Sequence, residues 1–368
     1  MGMIGGGPGS FIGPIHRIAA ELDREIEFVA GAFSSNAARS DEAGTTYRID
    51  SSRAYESYHQ MIELEAARED GIDFVAIVTP NHLHLPAALA ALRAGLHIMS
   101  DKPATATLQE ALDLREAVNK CGCHYRLTYT YTGYPLVRHA RDMIASRSVG
   151  EVRKVVVEYP QGWLANPIEQ DGSKQAGWRV DPAKAGLGGC IGDIGVHAFN
   201  LVEFVTGLRV TRLLADLAAV VPGRQLDDDC TVLLRFENGA RGVMIASQIS
   251  FGELNGLRIR IYGDKGSIDW CQEMPNSLAW HREDGGLEII RTGTSAAGLA
   301  GAAATRLPGG HPEGYLEAFA NLYRDFATLL RGGDAPLLAD IEEGVRSMAF
   351  VDTAVIASRE ESGWVALG

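Results

Sequence analysis

Asp193 and His197 stand four residues apart in Gly188-Gly189-Cys190-Ile191-Gly192-Asp193-Ile194-Gly195-Val196-His197. On a helix that spacing puts both side chains on one face, one turn apart, and Asn200 continues the same edge. Neutral imidazole accepts a proton near neutral pH, and a carboxylate beside it orients the ring and stabilises its charged form. The same pair would also serve as a helix-start aspartate satisfying backbone amides with a histidine partner at i+4. The glycines before Asp193 permit close approach of a ligand. Lys102, in Asp101-Lys102-Pro103, follows an apolar run. An ammonium at the C-terminal end of a strand, where ligands collect in open α/β sheets, would stabilise a developing alkoxide and lower the hydroxyl pKa. A base, a cation and a held hydride acceptor are what oxidation of a secondary alcohol requires.

The acceptor has its own signature at the start of the chain. Met3-Ile4-Gly5-Gly6-Gly7-Pro8-Gly9-Ser10-Phe11-Ile12-Gly13 runs from a strand end through glycines into a helix. Residues without side chains let backbone amides approach a pyrophosphate at the positive end of the helix dipole, so Gly5, Gly7 and Gly13, with Ser10, Phe11 and Ile12, are candidates to hold a dinucleotide. Only four residues precede Gly5, a short first strand: either it is trimmed at the start or residues upstream are missing from this chain. An adenosine ribose usually meets a carboxylate after the second strand, but here stand Ser34-Ser35-Asn36 and then Arg39. Ser34 and Ser35 suit a ribose hydroxyl, Ser plus Arg39 suits a 2′-phosphate, and a helix N-cap is an equal alternative. NAD is the expected cofactor, with NADP open.

These groups need a scaffold. Ile15, Ile18, Ala19 and Leu22 have helical spacing behind Pro14; 28–33, 74–78 and 96–100 read as buried strands; Leu85, Ala88, Leu89 and Leu92 form a helix ending at Gly95. Thr107 and Glu110 make a capping box ahead of another helix. The alternation predicts an α/β fold with a doubly wound parallel Rossmann sheet. After Gly150 the pattern changes: 152–159, 210–220, 230–236, 241–247 and 257–262 are strand-like without intervening helices, which predicts one large open, mainly antiparallel sheet. Helices are expected at 191–205, 313–330 and 341–358, and 296–304 reads as a Gly/Ala-rich loop with no packing face. A dinucleotide-binding domain of 1–133 and a substrate-binding and oligomerisation domain of 134–368 follow.

The chain has 368 residues, 46% hydrophobic and 22% charged, which suits a folded protein of about two domains. A formal charge of −13 repels phosphate backbones and anionic lipid, so neither nucleic acid nor membrane is an expected partner. No apolar run is long enough to cross a bilayer. Five sparse cysteines point to a reducing, cytoplasmic setting, and Cys121 and Cys123 read as buried small side chains rather than zinc ligands. No metal is expected. His82 and His84 lack further ligands at suitable spacing.

Thr79-Pro80-Asn81-His82-Leu83-His84, Asp101-Lys102-Pro103, the 188–197 segment, Ile261-Tyr262-Gly263-Asp264-Lys265-Gly266 and the glycine loop together resemble the Gfo/Idh/MocA oxidoreductases, over nearly the whole chain. The resemblance implies a nicotinamide enzyme acting on an inositol, aldose or other polyol, with Lys102, Asp193 and His197 as its catalytic set and His197 the proton acceptor. It implies a homo-oligomer, dimer or tetramer, through the C-terminal sheet. Asp101 stands where the family usually has Glu. The Ser10-Phe11-Ile12 loop and Tyr159-Pro160-Gln161-Gly162-Trp163 look most like the branch acting on inositols and L-glucose. Thr79, Pro80, Asn81, His84 and Asp101 are expected cofactor contacts; Tyr131, Gln161, Trp163, Arg179, Asn200 and His311 are expected around the substrate. Two other functions use the same scaffold: a glycosidase working by transient oxidation, and a dinucleotide-binding protein without chemistry.

Overall fold

The computed structural model describes residues 1–368 as two compact units, Met1–Tyr129 with Phe319–Met348, and Thr130–Ala318 with Ala349–Gly368. The first is built on β1 (Gly2–Gly5), β2 (Ala30–Ala32), β3 (Phe74–Val78), β4 (His97–Ser100) and β5 (Tyr125–Leu127), in the order β2-β1-β3-β4-β5. All pairings are parallel. β3 is buried along its whole length, as a strand covered on both faces must be. Chain order reverses between β1 and β3, which makes their C-terminal ends the switch point where an open α/β sheet binds ligands. Helix Ile12–Leu22 follows the glycine loop, and the capping box opening Leu108–Cys121 is formed from both sides. Helix Ala37–Tyr47 begins at the N-cap offered by the 34–36 segment, whereas helix Tyr58–Ala66 shows no clear apolar stripe in the sequence and was not expected there.

Phe319–Met348 packs with the first unit: the rings of Phe319 and Tyr323 lie edge-on to His16, 5.0 and 5.8 Å away. The sequence reading makes a single cut near residue 134. Helical periodicity shows that a segment has an apolar face but not which sheet that face covers.

The second unit holds β6 (Val152–Pro160), β7 (Val210–Ala218), β8 (Asp229–Phe236), β9 (Arg241–Ser247), β10 (Arg258–Gly263), β11 (Gly266–Cys271), β12 (Ser277–Arg282), β13 (Leu287–Arg291) and β14 (Val365–Ala366). They form one sheet in the order β13-β12-β11-β10-β6-β9-β8-β7-β14, antiparallel except for the β6–β9 pair. β11 to β14 are short and half polar, and the expected sheet stopped at β10. Val155, Val157 and Tyr159 of β6 and Met244 and Ala246 of β9 are buried on the inner face, against helix Val196–Thr206. Leu233, Ile245 and Tyr262 on the outer face are 36%, 37% and 38% exposed.

Three further expectations are corrected. The 296–304 segment is not a loop: Gly298–Ala303 is a helix packed on Pro135–Ala145, made possible because Gly301 brings the two backbones close. Cys121 is exposed and Cys123 half-exposed at the end of a helix, so they are not buried fillers. The helix expected from 191 begins as a π-helical turn, Ile191–Gly195, and becomes α-helical only at Val196. No helix is long and apolar enough to cross a membrane.

Candidate active site

In the first unit the glycine loop is held by its surroundings. Gly5 and Gly6 have φ of +93° and +79°, a region L side chains rarely adopt. A methyl group on Gly7 would lie 2.5 Å from the Phe33 carbonyl oxygen, and one on Gly13 2.5 Å from the Gly6 Cα. The loop therefore runs as bare backbone at the mouth of the switch point. The Tyr47 hydroxyl donates to the Gly6 carbonyl at 2.7 Å, and Gly13 N–H donates to Ser10 Oγ at 3.2 Å. Phe11 is 61% exposed. Beside Gly5, the Thr79 hydroxyl is buried with no protein partner, a polar group left for a ligand. Bare amides at a helix start and an unsatisfied hydroxyl suit a pyrophosphate-bearing cofactor.

After β2, Asn36 caps the following helix by accepting from Arg39 N–H at 3.1 Å, while Ser34 Oγ accepts from Asn36 N–H at 3.2 Å. The capping alternative is thus the local structure, and it leaves Ser35 and the Arg39 side chain exposed. His84 is buried, with ring nitrogens 2.8 Å from the Pro103 carbonyl oxygen and 2.9 Å from that of Thr79. Burial holds its pKa below the ordinary value. Between these two carbonyls, only one of which a neutral ring can donate to, the ring ties the Thr79–Asn81 turn to the Lys102–Pro103 turn.

Asp101 Oδ1 accepts from Lys102 N–H at 2.9 Å and from Thr128 Oγ1 at 3.0 Å, and lies 4.0 Å from His16 Nε2. His16 Nδ1 meets the Tyr323 hydroxyl at 2.6 Å. Complete burial lowers the His16 pKa to about 4 against a smaller raising effect from Asp101, so the ring is neutral. Lys102 is half-buried just beyond β4. Its peptide bond to Pro103 is cis.

In the second unit the polar edge is assembled around the π turn. The Asp227 carboxylate takes the N–H groups of Gly189 and Ile191, each at 2.7 Å, and Gly189 has no room for a side chain because its Cβ would meet the Asp227 carbonyl at 2.2 Å. Asp193 Oδ2 then accepts from Arg179 Nε at 3.0 Å and from Gln248 Nε2 at 2.9 Å. The Arg179 guanidinium lies 4.2 Å over the Trp178 ring and 5.6 Å from Trp163. His197 and Asn200, each 8% exposed, follow on the α-helix, and the Tyr131 ring meets His197 edge-on at 4.8 Å. Tyr131 bonds to Tyr159, and Asn255 bridges Tyr131, Tyr159 and Gln161. Trp163 Nε1 donates to Gln161 Oε1 at 3.0 Å.

Of the expected substrate residues in this unit, Asp193, His197, Tyr131, Gln161, Trp163 and Arg179 are linked by these contacts. Tyr131 lies in the 3-10 turn Thr130–Gly133. His311 is exposed on a loop, its Nδ1 3.2 Å from the Pro308 carbonyl oxygen, and joins none of them. Gln248, Asn255 and Asp227 were not singled out. Gln248 follows a strand of ordinary composition and Asn255 sits in a loop, so only tertiary structure marks them; Asp227, in Asp227-Asp228-Asp229, looks like a solvated charge run. No group of three or more His, Cys, Asp or Glu is placed to hold a metal ion.

Residues 1–129 match the model for an oxidoreductase family with an NAD-binding Rossmann fold, and 137–269 match that for a GFO/IDH/MocA C-terminal domain. An uncharacterised oxidoreductase, YfiI of Bacillus subtilis, is 33% identical over 99% of this chain and 95% of its own. The chain belongs to the GFO/IDH/MocA oxidoreductase family. As a member it is an NAD(P)-dependent dehydrogenase, with its NAD-binding Rossmann fold in residues 1–129. An inositol dehydrogenase homologue from Azotobacter vinelandii, solved with NAD+, superposes with a TM-score of 0.94 at 36% identity, covering 99% of this chain and 96% of the other. Levoglucosan dehydrogenase of Pseudarthrobacter phenanthrenivorans is 26% identical over 99% of this chain and 97% of its own.

Proposed function

We propose that this dehydrogenase oxidises one secondary hydroxyl of a cyclic polyol or sugar, an inositol or an aldose such as L-glucose, to the ketone or lactone. The observation that supports this most is the second unit's polar edge. Asp193 is neutralised by Arg179 and hydrogen-bonded by Gln248, and the amides, phenols and indoles around it offer paired donors and acceptors but no surplus charge. Such a lining suits an uncharged polyhydroxylated ring better than a carboxylate or phosphate. The likeness to inositol and levoglucosan dehydrogenases agrees.

In the proposed mechanism the nicotinamide supplies the hydride acceptor. Gly5, Gly7 and Ser10–Ile12 hold its pyrophosphate, and Thr79, Pro80, Asn81 and Asp101 line the adjoining turns. His197 takes the hydroxyl proton onto a ring nitrogen as the C–H bond gives up its hydride, Asp193 orients the ring, and Asn200 contacts a neighbouring hydroxyl. The Lys102 ammonium stabilises the alkoxide that develops on the carbinol oxygen; such a contribution is worth roughly 3 kcal/mol in a water-excluded site. Tyr131, Gln161, Trp163 and Arg179 bind the remaining hydroxyls. Asp101, anchored on Thr128, fixes the turn carrying Lys102.

A panel of inositols, aldoses and anhydrosugars with NAD and NADP, followed by reduced nicotinamide, tests the proposal. Turnover of at least one cyclic polyol is expected; none across the panel overturns it. The protein is further proposed to be a cytoplasmic homo-oligomer, dimer or tetramer, joined through the outer sheet face carrying Leu233, Ile245 and Tyr262. Light scattering should give a multiple of the chain mass that falls in an Ile245→Glu variant, and a monomeric wild type refutes it.

A further inference from the structure

The polar groups beside His197 form a chain whose hydrogen-bond direction can be assigned at every link. An indole N–H only donates. Trp163 Nε1 lies 3.0 Å from Gln161 Oε1, so that end of the Gln161 amide must accept, and its Nε2 must donate to Asn255 Oδ1, at 2.9 Å. With Oδ1 so placed, it accepts a second bond from the Tyr159 hydroxyl at 2.7 Å, and Asn255 Nδ2 donates to the Tyr131 oxygen at 3.2 Å. Tyr159 has spent its one proton on Asn255. The contact between the two phenols therefore leaves Tyr131 as donor and Tyr159 as acceptor. Reversing Gln161 would set its –NH2 against the Trp163 N–H, and reversing Asn255 would set its –NH2 against that of Gln161. Both phenols are fully protonated near neutrality, because burial pushes each above the ordinary value.

We infer that Trp163 and Asn255 are specificity-determining residues: the one sets and the other relays a fixed polarity that leaves the Tyr131 hydroxyl with accepting capacity only. The inference rests on the proposed function, in which Tyr131 lines the polyol site beside His197. A substrate group meeting Tyr131 must then donate a hydrogen bond, so the site requires a free hydroxyl at that ring position and disfavours fluorine, a methoxy group or a keto oxygen there. Neither Trp163 nor Asn255 needs to touch the reacting carbon. Asn255 lies on the 249–256 loop, which is pinned to the 160–164 segment by Gly162 N–H to the Glu253 carbonyl at 2.9 Å and Ser250 N–H to the Gln161 carbonyl at 2.9 Å. That backbone pairing keeps the relay in register with the strand that carries Tyr159.

The test uses myo-inositol and levoglucosan with NAD, together with the monodeoxyfluoro and mono-O-methyl derivatives of whichever is oxidised. In the wild type, one ring position should show kcat/KM lower by about tenfold to a hundredfold for fluorine or methoxy than for hydroxyl, the scale on which a buried acceptor without a donor discriminates. Trp163→Phe keeps an aromatic ring but removes the only obligate donor, and Asn255→Leu cuts the relay. Each should lower that ratio about tenfold, acting on KM more than kcat and leaving the NADH dissociation constant unchanged. Far-UV circular dichroism and melting confirm that each variant is folded; if Asn255→Leu is not, Asn255→Asp, which cannot donate to Tyr131, replaces it. Oxidation of the parent polyol with equal losses for every derivative in both variants overturns the inference and leaves the proposed function standing. No oxidation of either parent, or of the wider panel, overturns the proposed function and the inference with it.

Discussion

Replacing Asp227 by Asn separates stability from function in the turn that precedes Asp193 and His197. The Asp227 carboxylate is enclosed under the 189–191 backbone, and burial pushes its pKa up to about 6 from the ordinary 3.8; the two N–H bonds partly oppose the shift, and neighbouring Asp228 adds to it. A carboxyl whose folded-state pKa is raised contributes stability that is fully present below the unfolded value and is lost as pH rises through the folded value. The interval from 3.8 to about 6, at about 1.4 kcal/mol per tenfold change in proton affinity, comes to about 3 kcal/mol. An Asn at this position does not titrate. In urea denaturation of both proteins from pH 4 to pH 8, the stability of the wild type relative to Asp227→Asn should fall by about 3 kcal/mol, most of it before pH 7. The amide offers only one acceptor oxygen to two backbone donors, so the turn loosens and turnover should drop about tenfold even where the variant is the more stable protein. A stability difference that stays flat with pH, or grows in favour of the wild type towards neutrality, refutes this reasoning.

The remaining expectations concern other groups. His16 has the opposite linkage: burial lowers its pKa from 6.5 to about 4, so the unfolded chain binds its proton first and stability is lost as pH falls through that window. A His16→Gln variant should lose about 3 kcal/mol less than wild type between pH 7 and pH 4, measured by denaturation; an equal loss contradicts the assignment. His197→Ala should lower kcat by about two to four powers of ten while the NADH dissociation constant stays within about threefold, and unchanged turnover removes His197 from the mechanism. Gly7→Ala places a methyl group 2.5 Å from the Phe33 carbonyl oxygen, so calorimetry should show NADH binding weakened by at least about tenfold; unaltered affinity would place the cofactor elsewhere.

Several of these residues could be found without coordinates, and the reason differs from case to case. Gly5, Gly7 and Gly13 announce themselves as a cluster before a helix, and a Cβ at any of them would collide with Val78, Phe33 or Gly6 backbone. The capping box at Thr107 and the buried strand at 74–78 are local properties, determined by neighbours within a few residues. Asn255 and Gln248 carry no such signal, since their importance lies in bonds to Tyr159, Gln161 and Asp193 from far along the chain. His84 adds a task its motif position does not reveal: it is buried between two backbone carbonyls from separate turns. The π turn at Ile191–Gly195 depends on an aspartate 36 residues from Ile191, beyond the reach of any helical pattern.

In the proposed reaction a hydride leaves a ring carbon of a cyclic polyol for the bound nicotinamide while His197 receives the hydroxyl proton. A polyol deuterated at its ring carbons, incubated with NAD and the enzyme and analysed by mass spectrometry and NMR, tests it directly. One deuterium at C4 of the reduced nicotinamide is expected for each ketone or lactone formed, with the yield suppressed in His197→Ala. Reduced cofactor free of deuterium, or no reduction with any polyol, would contradict it.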